Sequence, residues 1–293
     1  AEVSTQSVVR SAFTILAIVT ALLVVSALRY VIVLFLLALY AGPFFWQLVT
    51  SFKPEAELLV LPPLLPSQPT LAHYAAVFEK SLIPRALVNS LGVAALTVLL
   101  AVALGLFAAY ALARLPVPGR GALMLVIAAS TAFPQITTVS PLYLLLRTLG
   151  LRDTWTGLVL ANTSFALPLI VWLLAGFIRE IPEELEEAAF LDGASRLQVL
   201  RWVILPLTAP ALASAALLTF LMSWNEFLFA YTLSASEASR TVPVAIALFP
   251  GVFEVPWGDI AAASILASLP PIVIVVVLQR YLIRSVLAGA LRE

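Results

Sequence analysis

Cysteine is absent from the 293-residue chain, and charged side chains are few. Without a thiol, disulfides, thiolate catalysis and cysteine-ligated zinc sites are all excluded. Charged residues make up 11% of the chain, against roughly 25% in a soluble domain, so they could not cover a water-facing surface. Acidic and basic residues number 16 each, so the chain lacks the excess of positive charge that is typical of nucleic-acid-binding proteins.

Histidine and lysine are rare as well. The one histidine, His73, lies in a polar connector where an ordinary surface position is expected, and one imidazole cannot form a metal site unaided. The two lysines, Lys53 and Lys80, belong to no Gly-Lys-Ser or Gly-Lys-Thr sequence, so the chain has no P-loop for ATP. No convergent set of catalytic side chains indicates an enzyme. We therefore expect no metal site and no cofactor in this chain.

Long apolar runs are abundant, with 62% hydrophobic residues and a mean hydropathy of +1.07. A bilayer core about 30 Å thick is crossed by about 20 apolar residues as a helix, which satisfies its own backbone hydrogen bonds. The alternating pattern of a transmembrane barrel is absent. The sequence predicts an all-α, polytopic transmembrane helix bundle. Its six core spans are expected at residues 30–50, 87–113, 121–146, 156–178, 207–233 and 258–283.

A further apolar run, residues 8–28, precedes the first core span. Only Arg29 separates the two, and no Gly, Pro or Asn is present there to form a turn. One helix from 8 to 50 would be about 65 Å long, roughly twice the hydrocarbon thickness. We expect an extra N-terminal helix, residues 1–29, which is either an interfacial or tilted extension or an additional span, and we do not favour a cleaved signal-like segment. Residues 30–293 are expected to form one domain.

The arginines indicate the orientation in the membrane. If Arg29 marks a cytoplasmic start, ten of the 16 basic residues fall on the cytoplasmic side and six on the other. Cytoplasmic loops of membrane proteins carry the excess of Lys and Arg. Both ends of the six-span core are therefore expected in the cytoplasm.

The long hydrophilic stretch, residues 179–207, has helical character. Pro182 suits a first helical turn, and the glutamates after it favour the positive end of a helix. Asp192-Gly193 can end that helix with a left-handed glycine, and a second short helix is expected at 195–204. The pattern predicts a helical hairpin on the cytoplasmic face, either a docking element or a solvated loop.

Within this stretch the sequence resembles the EAA loop of ABC importer permeases, which reads Glu-Ala-Ala, three residues, Gly, nine residues, Ile, any residue, Leu-Pro. The matching positions are Glu187, Ala188, Ala189, Gly193, Val203, Leu205 and Pro206, with valine where isoleucine is usual. From about residue 30 the chain also resembles the maltose-type (MalG-like) permeases of binding-protein-dependent ABC sugar importers. The similar stretches include 51–54, 89–90, 141–143, 223–227 and 241–244.

The resemblance implies roles for these residues. Glu187 would face a cytoplasmic ATPase, Ala188 and Ala189 would allow close packing, and Asp192-Gly193 would form the bend. ATP and Mg²⁺ would be bound by that partner ATPase. The assembly would contain two ATPase subunits, a second permease (a different, MalF-like chain) and an extracytoplasmic sugar-binding protein. It would lie among the lipids of a prokaryotic inner membrane.

Polar residues within the predicted spans are candidates for a translocation path, because such side chains should face the bundle interior. They are Gln135, Asn162, Thr163, Asn225 and Glu226. The alternative is that they only join helices by hydrogen bonds. Glu226 is also the acid that a secondary transporter could use for ion coupling. That class, like an importer of a non-sugar solute, remains an alternative function.

The aromatic, proline-containing connector before the last span supplies candidates for contact with the binding protein, as the resemblance implies. They are Pro250, Gly251, Phe253 and Trp257. The same residues would also suit the aromatic belt at a membrane interface.

Single cysteines in the naturally cysteine-free chain test the predicted topology. Gly119→Cys and Ser195→Cys are expected to resist a membrane-impermeant thiol reagent in intact cells, because both positions should be cytoplasmic. Ala235→Cys is expected to be labelled from outside. Labelling of the Ser195→Cys variant in intact cells would contradict the topology.

Overall fold

The computed structural model describes residues 5–60, 64–249 and 255–290, and the regular structure in these ranges is helical. The long helices are α1 (Thr5–Phe52), α3 (Ile83–Arg114), α6 (Trp155–Arg179) and α13 (Trp257–Ala290). Those of medium length are α4 (Arg120–Ser130), α5 (Gln135–Thr148) and α10 (Ala209–Trp224). The short ones are α2 (Ala72–Lys80), α7 (Glu184–Leu191), α8 (Arg196–Val199), α9 (Leu205–Leu207), α11 (Leu228–Leu233) and α12 (Val242–Ala247). A 3-10 turn forms at Glu55–Glu57, and a π-helical turn at Leu200–Ile204 joins α8 to α9.

Several of these helices are long and apolar enough to cross a membrane. Single helices of this kind are Ser26–Phe52, Ile83–Arg114, Trp155–Arg179 and Trp257–Gln279. Two bent pairs qualify if each counts as one span, namely Arg120–Ser130 with Gln135–Thr148 and Arg196–Leu207 with Ala209–Trp224. The described part of the chain thus has four to six spans, and the predicted helical bundle is confirmed.

The first helix is continuous across residue 29, where the N-terminal helix was expected to meet the first core span. α1 runs without interruption from Thr5 to Phe52, so the residues on both sides of Arg29 belong to one rod. The physical reason is that no helix breaker occurs before Gly42, and Pro43 is accommodated within the helix. α1 contacts α2 and α13.

The third predicted span, 121–146, is not one straight helix. α4 and α5 meet at a bend of 97°. Pro134 explains the break, since its ring holds φ at −63° and its nitrogen has no N–H for the helical ladder. The hydroxyls of Ser130 and Thr131 each donate to a carbonyl three residues earlier, at 2.7 Å. These bonds satisfy part of the backbone that the break leaves unpaired.

The fifth predicted span, 207–233, is broken as well. α10 ends at Trp224 and α11 begins at Leu228, so Glu226 lies in a non-helical break. The prediction that Glu226 lies within a membrane helix is therefore wrong. No glycine or proline marks this break in the sequence. The carboxylate of Glu226 stabilises the break, because it accepts hydrogen bonds from the N–H groups of Phe229 and Ala230 and from Gln135, 91 residues away.

The centre of the fold is the contact between α3 and α6, where small residues bring the two helices close together. A Cβ added at Gly105 would lie 2.5 Å from Cγ2 of Ile170, and one at Gly92 would lie 2.2 Å from the ring of Trp155. Buried alanines extend this contact, namely Ala101, Ala109, Ala166 and Ala175. The pair forms a frame on which the breaks and connectors are placed.

Polar side chains at the N-terminal ends of α3 and α6 hold the connector 234–241. Asn89 Nδ2 donates to the carbonyls of Glu237 and Arg240, at 2.9 Å each. Trp155 Nε1 in turn donates to Asn89 Oδ1 at 3.1 Å. The connector is therefore tied to α3 through Asn89, and Trp155 of α6 holds the Asn89 side chain in place.

Asp153 fixes the same connector from the loop before α6. Its carboxylate accepts hydrogen bonds from the backbone N–H groups of Ala235 and Ser236 and from the hydroxyls of Ser236 and Ser239, at 2.6–3.0 Å. Burial by itself would raise the pKa of Asp153, but these hydrogen bonds outweigh it and lower the pKa to about 2. The backbone at Asp153 is left-handed, with φ of +59°.

His73 is buried, so the predicted surface position is wrong. Its Nδ1 lies 2.7 Å from a carboxylate oxygen of Asp259, and its Nε2 lies 2.9 Å from the carbonyl oxygen of Lys53. A Cβ at Gly258 would come within 2.3 Å of the imidazole ring. The environment of His73 is therefore created by the start of α13, far along the chain, and its polar sequence neighbours do not reveal it.

We expect Asp153→Ala to lower the free energy of unfolding by about 1–3 kcal/mol, because four donors of the connector lose a charged acceptor. Asp153→Asn is the milder control, since asparagine tolerates the left-handed backbone and keeps one acceptor oxygen. Thermal unfolding of the purified protein in detergent measures both variants.

The loss of unfolding free energy in Asp153→Ala should also depend on pH. A carboxyl whose folded-state pKa is lowered stabilises the protein above its unfolded-state value, here 3.8, and loses that contribution as the pH falls towards 2. The parent and the variant should therefore differ most near neutral pH and converge in acid. A difference that is constant over this range would contradict the assigned role.

Candidate functional site

A cavity of about 390 Å³ lies where the two broken spans meet. Its walls come from α3, α5, α6, α10 and the break that follows α10. The lining residues are Thr97, Gln135, Asn162, Phe165, Ala166, Thr219, Met222, Ser223, Asn225, Glu226, Phe227, Leu228 and Phe229. Four of the five path candidates, which come from three separate stretches of the sequence, therefore line one cavity.

Glu226 connects the two breaks. Its Oε1 accepts hydrogen bonds from Gln135 Nε2 at 2.9 Å and from the backbone N–H of Phe229 at 2.7 Å. Its Oε2 accepts from the N–H of Ala230 at 2.9 Å. The carboxylate thus lies at the N-terminus of α11, where unpaired N–H groups and the helix dipole favour negative charge. Because Gln135 is the first residue of α5, this one side chain joins the third span to the fifth.

Asn162 and Thr97 leave polar atoms unpaired at the cavity. Asn162 Nδ2 donates to Ser223 Oγ at 2.9 Å, which links α6 to α10. Asn162 Oδ1 and Thr97 Oγ1 have no hydrogen-bond partner among the described residues, although both side chains are buried. An unmade hydrogen bond of this kind costs about 1–3 kcal/mol. Both atoms are therefore suited to water or to hydroxyl groups of a ligand.

Asn225 and Thr163, the other two polar candidates, differ in position. Asn225 is exposed at the rim of the cavity, and its Nδ2 donates to the carbonyl of Leu221 at 2.8 Å. Thr163 is buried but does not line the cavity. One residue step turns an α-helix by about 100°, so Thr163 and Asn162 cannot face the same way.

An aromatic surface borders the same cavity. Phe227 lies in the break and stacks on Tyr231 of α11, with ring centroids 5.4 Å apart and an angle of 20° between the rings. Phe165 of α6 and Phe229 of α11 meet edge to face, with centroids 6.3 Å apart. The cavity thus combines hydrogen-bonding groups with aromatic faces.

The loop that resembles the EAA loop presents most of the matching residues to the outside. The exposed ones are Glu187, Ala188, Gly193, Leu205 and Pro206, whereas Ala189 and Val203 are half-buried. Asp192, beside Gly193 in the bend, is exposed as well. α7 ends at Leu191, and Gly193 adopts φ of +86°, a conformation that glycine readily takes after a helix. The predicted helix end at this glycine is confirmed.

One buried acid in this loop was not expected from the sequence. Glu186 is 5% exposed, although its neighbour Glu187 points outward. Its carboxylate accepts hydrogen bonds from the Tyr110 hydroxyl at 3.1 Å and from Nε of Arg114. The available signal was helical spacing, because Glu186 lies three residues before the half-buried Ala189 and shares its face of α7.

Of the four candidates for contact with a binding protein, Trp257 belongs to the described residues, and Pro250, Gly251 and Phe253 lie outside them. Trp257 is 52% exposed at the start of α13. It borders a cavity of about 1040 Å³ formed by the 3-10 turn, α2 and the start of α13. Within the described ranges, no three His, Asp or Glu side chains are grouped as a metal site.

Sequence comparison identifies relatives over most of the chain. Residues 101–288 match the family described as binding-protein-dependent transport system inner membrane component. The trehalose transport system permease protein SugB of Mycobacterium tuberculosis is 44% identical over 252 residues, which cover 85% of this chain and 92% of the relative. The trehalose/maltose transport system permease protein MalG of Thermococcus litoralis is 38% identical over 253 residues, with coverages of 85% and 91%.

Structural comparison agrees with these matches. A chain of a bacterial ABC transporter involved in the import of the acidic polysaccharide alginate has a TM-score of 0.78 at 23% identity. The superposition covers 88% of this chain and 96% of that chain, and it shows a shared fold. The family match includes both helix breaks and the loop with the EAA pattern. The chain therefore belongs to the family of binding-protein-dependent transport system inner membrane components, multi-pass proteins of prokaryotic inner membranes.

Proposed function

We propose that this chain is the membrane-spanning permease subunit of an ATP-driven, binding-protein-dependent importer whose substrate is a sugar. The observation that carries the proposal is the convergence of polar and aromatic side chains on one cavity between two broken spans. Sugar hydroxyl groups can donate to acceptors such as Asn162 Oδ1, and sugar rings can pack on the face of Phe227. The names of the two sequence relatives refer to trehalose and to trehalose and maltose, which supports a sugar or a related polyol.

The cavity is proposed as this chain's part of the translocation path. Non-helical backbone at membrane depth is tolerated where it lines a cavity, and transporters commonly place substrate sites at broken helices. Gln135 and Glu226 each lie at a break in a span, and both line the cavity together with Asn162 and Asn225. Alternating access would open this path to each side of the membrane in turn.

Coupling to ATP hydrolysis is proposed to run through the EAA loop, residues 179–207. The exposure of Glu187 and Ala188 leaves a surface for a cytoplasmic ATPase subunit, and the bend at Gly193 sets the shape of that surface. ATP and Mg²⁺ would be held by two such ATPase subunits, since this chain has no P-loop. A second, MalF-like permease and an extracytoplasmic sugar-binding protein would complete the transporter. The binding protein would meet Trp257 and the connector before it.

Two alternatives share some of these features. An importer of a non-sugar solute would also have the EAA pattern, and it would differ in the groups that line the cavity. A secondary transporter would need an ionisable side chain that is free to exchange an ion or proton. Glu226 accepts three hydrogen bonds that hold α5 and α11 together, and this engagement favours a structural role over ion coupling.

The docking surface can be tested at Glu187 and Gly193. Glu187→Ala removes a charge from the proposed interface, where loss of one partner of a buried pair costs about 2–5 kcal/mol. Gly193→Ala strains the left-handed bend. Both variants are expected to insert normally but to lose co-purifying ATPase or trehalose-stimulated ATP hydrolysis. The control is Glu237→Ala, an exposed acid in the connector 234–241. Co-purification and hydrolysis at the parent's level in both variants would refute this docking site.

The role of Glu226 distinguishes an importer from a secondary transporter. Glu226→Gln keeps one acceptor oxygen and removes the charge, so uptake of radiolabelled trehalose should fall about fivefold, in line with about 1 kcal/mol for a lost hydrogen bond. The remaining uptake should still require internal ATP and the binding protein. The rate of this remaining uptake should not change when the ion gradient is collapsed. Complete loss in Glu226→Gln, together with gradient-dependent uptake by the parent, would reverse the assignment.

A further inference from the structure

The buried acid of α7, Glu186, differs from the exposed EAA residues in its contacts, and the inference drawn from these contacts rests on the proposed docking of an ATPase at the EAA loop. Glu186 and Glu187 are adjacent, yet one is 5% exposed and the other lies on the open face. α7 is a short helix, Glu184–Leu191, in the loop that follows the span α6. A directional contact between α7 and the bundle would transmit a displacement of α7 by a partner.

Such a contact exists at the C-terminal end of α3. The guanidinium of Arg114 donates through Nε to Glu186 and through Nη2 to the carbonyl of Ile181. Its Nη1 lies 3.5 Å from a carboxylate oxygen of Glu183. The Tyr110 hydroxyl donates to the second oxygen of Glu186 at 3.1 Å. The side chains of Arg114 and Glu186 are each 6% exposed, so this pair is largely removed from water.

The helix α3 connects this contact to the cavity. Tyr110 and Arg114 are one helical turn apart on α3 and project to the same side. α3 continues without a break from Tyr110 back to Thr97 in the cavity wall, about 20 Å at 1.5 Å per residue. Between these points Gly105 fixes α3 against Ile170 of α6. One rigid helix therefore links the loop to the proposed path.

The covalent connection from α7 to α10 is less rigid. Behind α7 the chain passes the left-handed Gly193 and the π-helical turn Leu200–Ile204, and the segment Arg196–Leu207 then meets α10 at 78°. Such turns are where helices bend. The apolar contacts of α7 are non-directional, whereas charge-assisted hydrogen bonds fix both distance and direction.

We propose that Arg114 and Glu186, with Tyr110, form the joint through which a movement of α7 reaches α3 and the cavity. They act as positioning residues, through α3, on the groups that line the path. A buried ion pair can often be replaced as a whole by apolar residues without loss of stability, whereas removal of one partner leaves a costly unpaired charge. Replacing both partners together can therefore remove the proposed joint while preserving the stability of the fold.

The decisive variant is therefore the double replacement Arg114→Met with Glu186→Leu. It keeps the apolar bulk and is expected to fold, to insert and to co-purify with the ATPase as the parent does. The readout is thiol labelling of Asn225→Cys at the cavity rim, compared without nucleotide and with ATP plus orthovanadate in the reconstituted transporter. The nucleotide-dependent change in labelling rate should fall about tenfold, within the 5–150-fold range usual for coupling between sites.

Matched variants decide between a joint and a merely structural pair. Arg120→Met removes an exposed arginine at the start of α4 and should keep the parent's nucleotide response. Tyr110→Phe removes one hydroxyl and should give an intermediate response. A full response in the assembled double variant would overturn the proposal. If the double variant does not assemble, Tyr110→Phe and Glu186→Gln take its place, and a parental response in both would overturn it equally.

Failure of the proposed function gives a different result. In that case the parent carrying only Asn225→Cys would not co-purify with an ATPase, or its labelling would not respond to ATP and orthovanadate. Either outcome would overturn the docking assignment and the joint together. A parent that responds, with a double variant that responds equally, would overturn the joint alone.

Discussion

Gly105 of α3 allows its helix to approach Ile170 of α6 so closely that any β-carbon there would lie 2.5 Å from the isoleucine methyl group. Lipid provides no hydrophobic force between helices, so close packing of this kind is what holds them together. Asn89, near the start of α3, holds the connector 234–241, and Arg114, at the end of α3, holds α7. The cavity lies between these ends, and its position depends on the one rigid pair.

The few charged side chains of the chain are placed where separate segments must be held together. Asp153 binds a connector through four hydrogen bonds, and Glu226 joins the starts of two helices. Arg114 donates hydrogen bonds to the carbonyl of Ile181, before α7, and to Glu186 within it. A charge withdrawn from water is costly unless it is paired, and charge-assisted hydrogen bonds are the stronger kind. In a chain with 11% charged residues, these contacts therefore account for much of the specific geometry outside the apolar core.

The two breaks give the membrane part of the protein its polar centre. Straight apolar helices would have brought few hydrogen-bonding groups to this depth, because their backbone groups are paired internally. The break at Pro134 and the break at Glu226 each free backbone groups. Glu226 accepts hydrogen bonds from two backbone N–H groups at the second break and from the side chain of Gln135, which follows the first break. The unpaired oxygen of Asn162 remains available in the same cavity.

Much of the fold and part of the site follow from the sequence alone. The helical class, the membrane spans and the helix end at Gly193 depend on local composition, on the length of apolar runs and on backbone freedom, which each segment carries by itself. The polar candidates were found in the same way, because polar groups are rare in apolar runs. Tertiary structure alone decided which of them meet: Glu226 binds Gln135 across 91 residues, and His73 binds Asp259 across 186. No local pattern contains such contacts, since burial and hydrogen-bond partners are supplied by segments that become neighbours only when the chain folds.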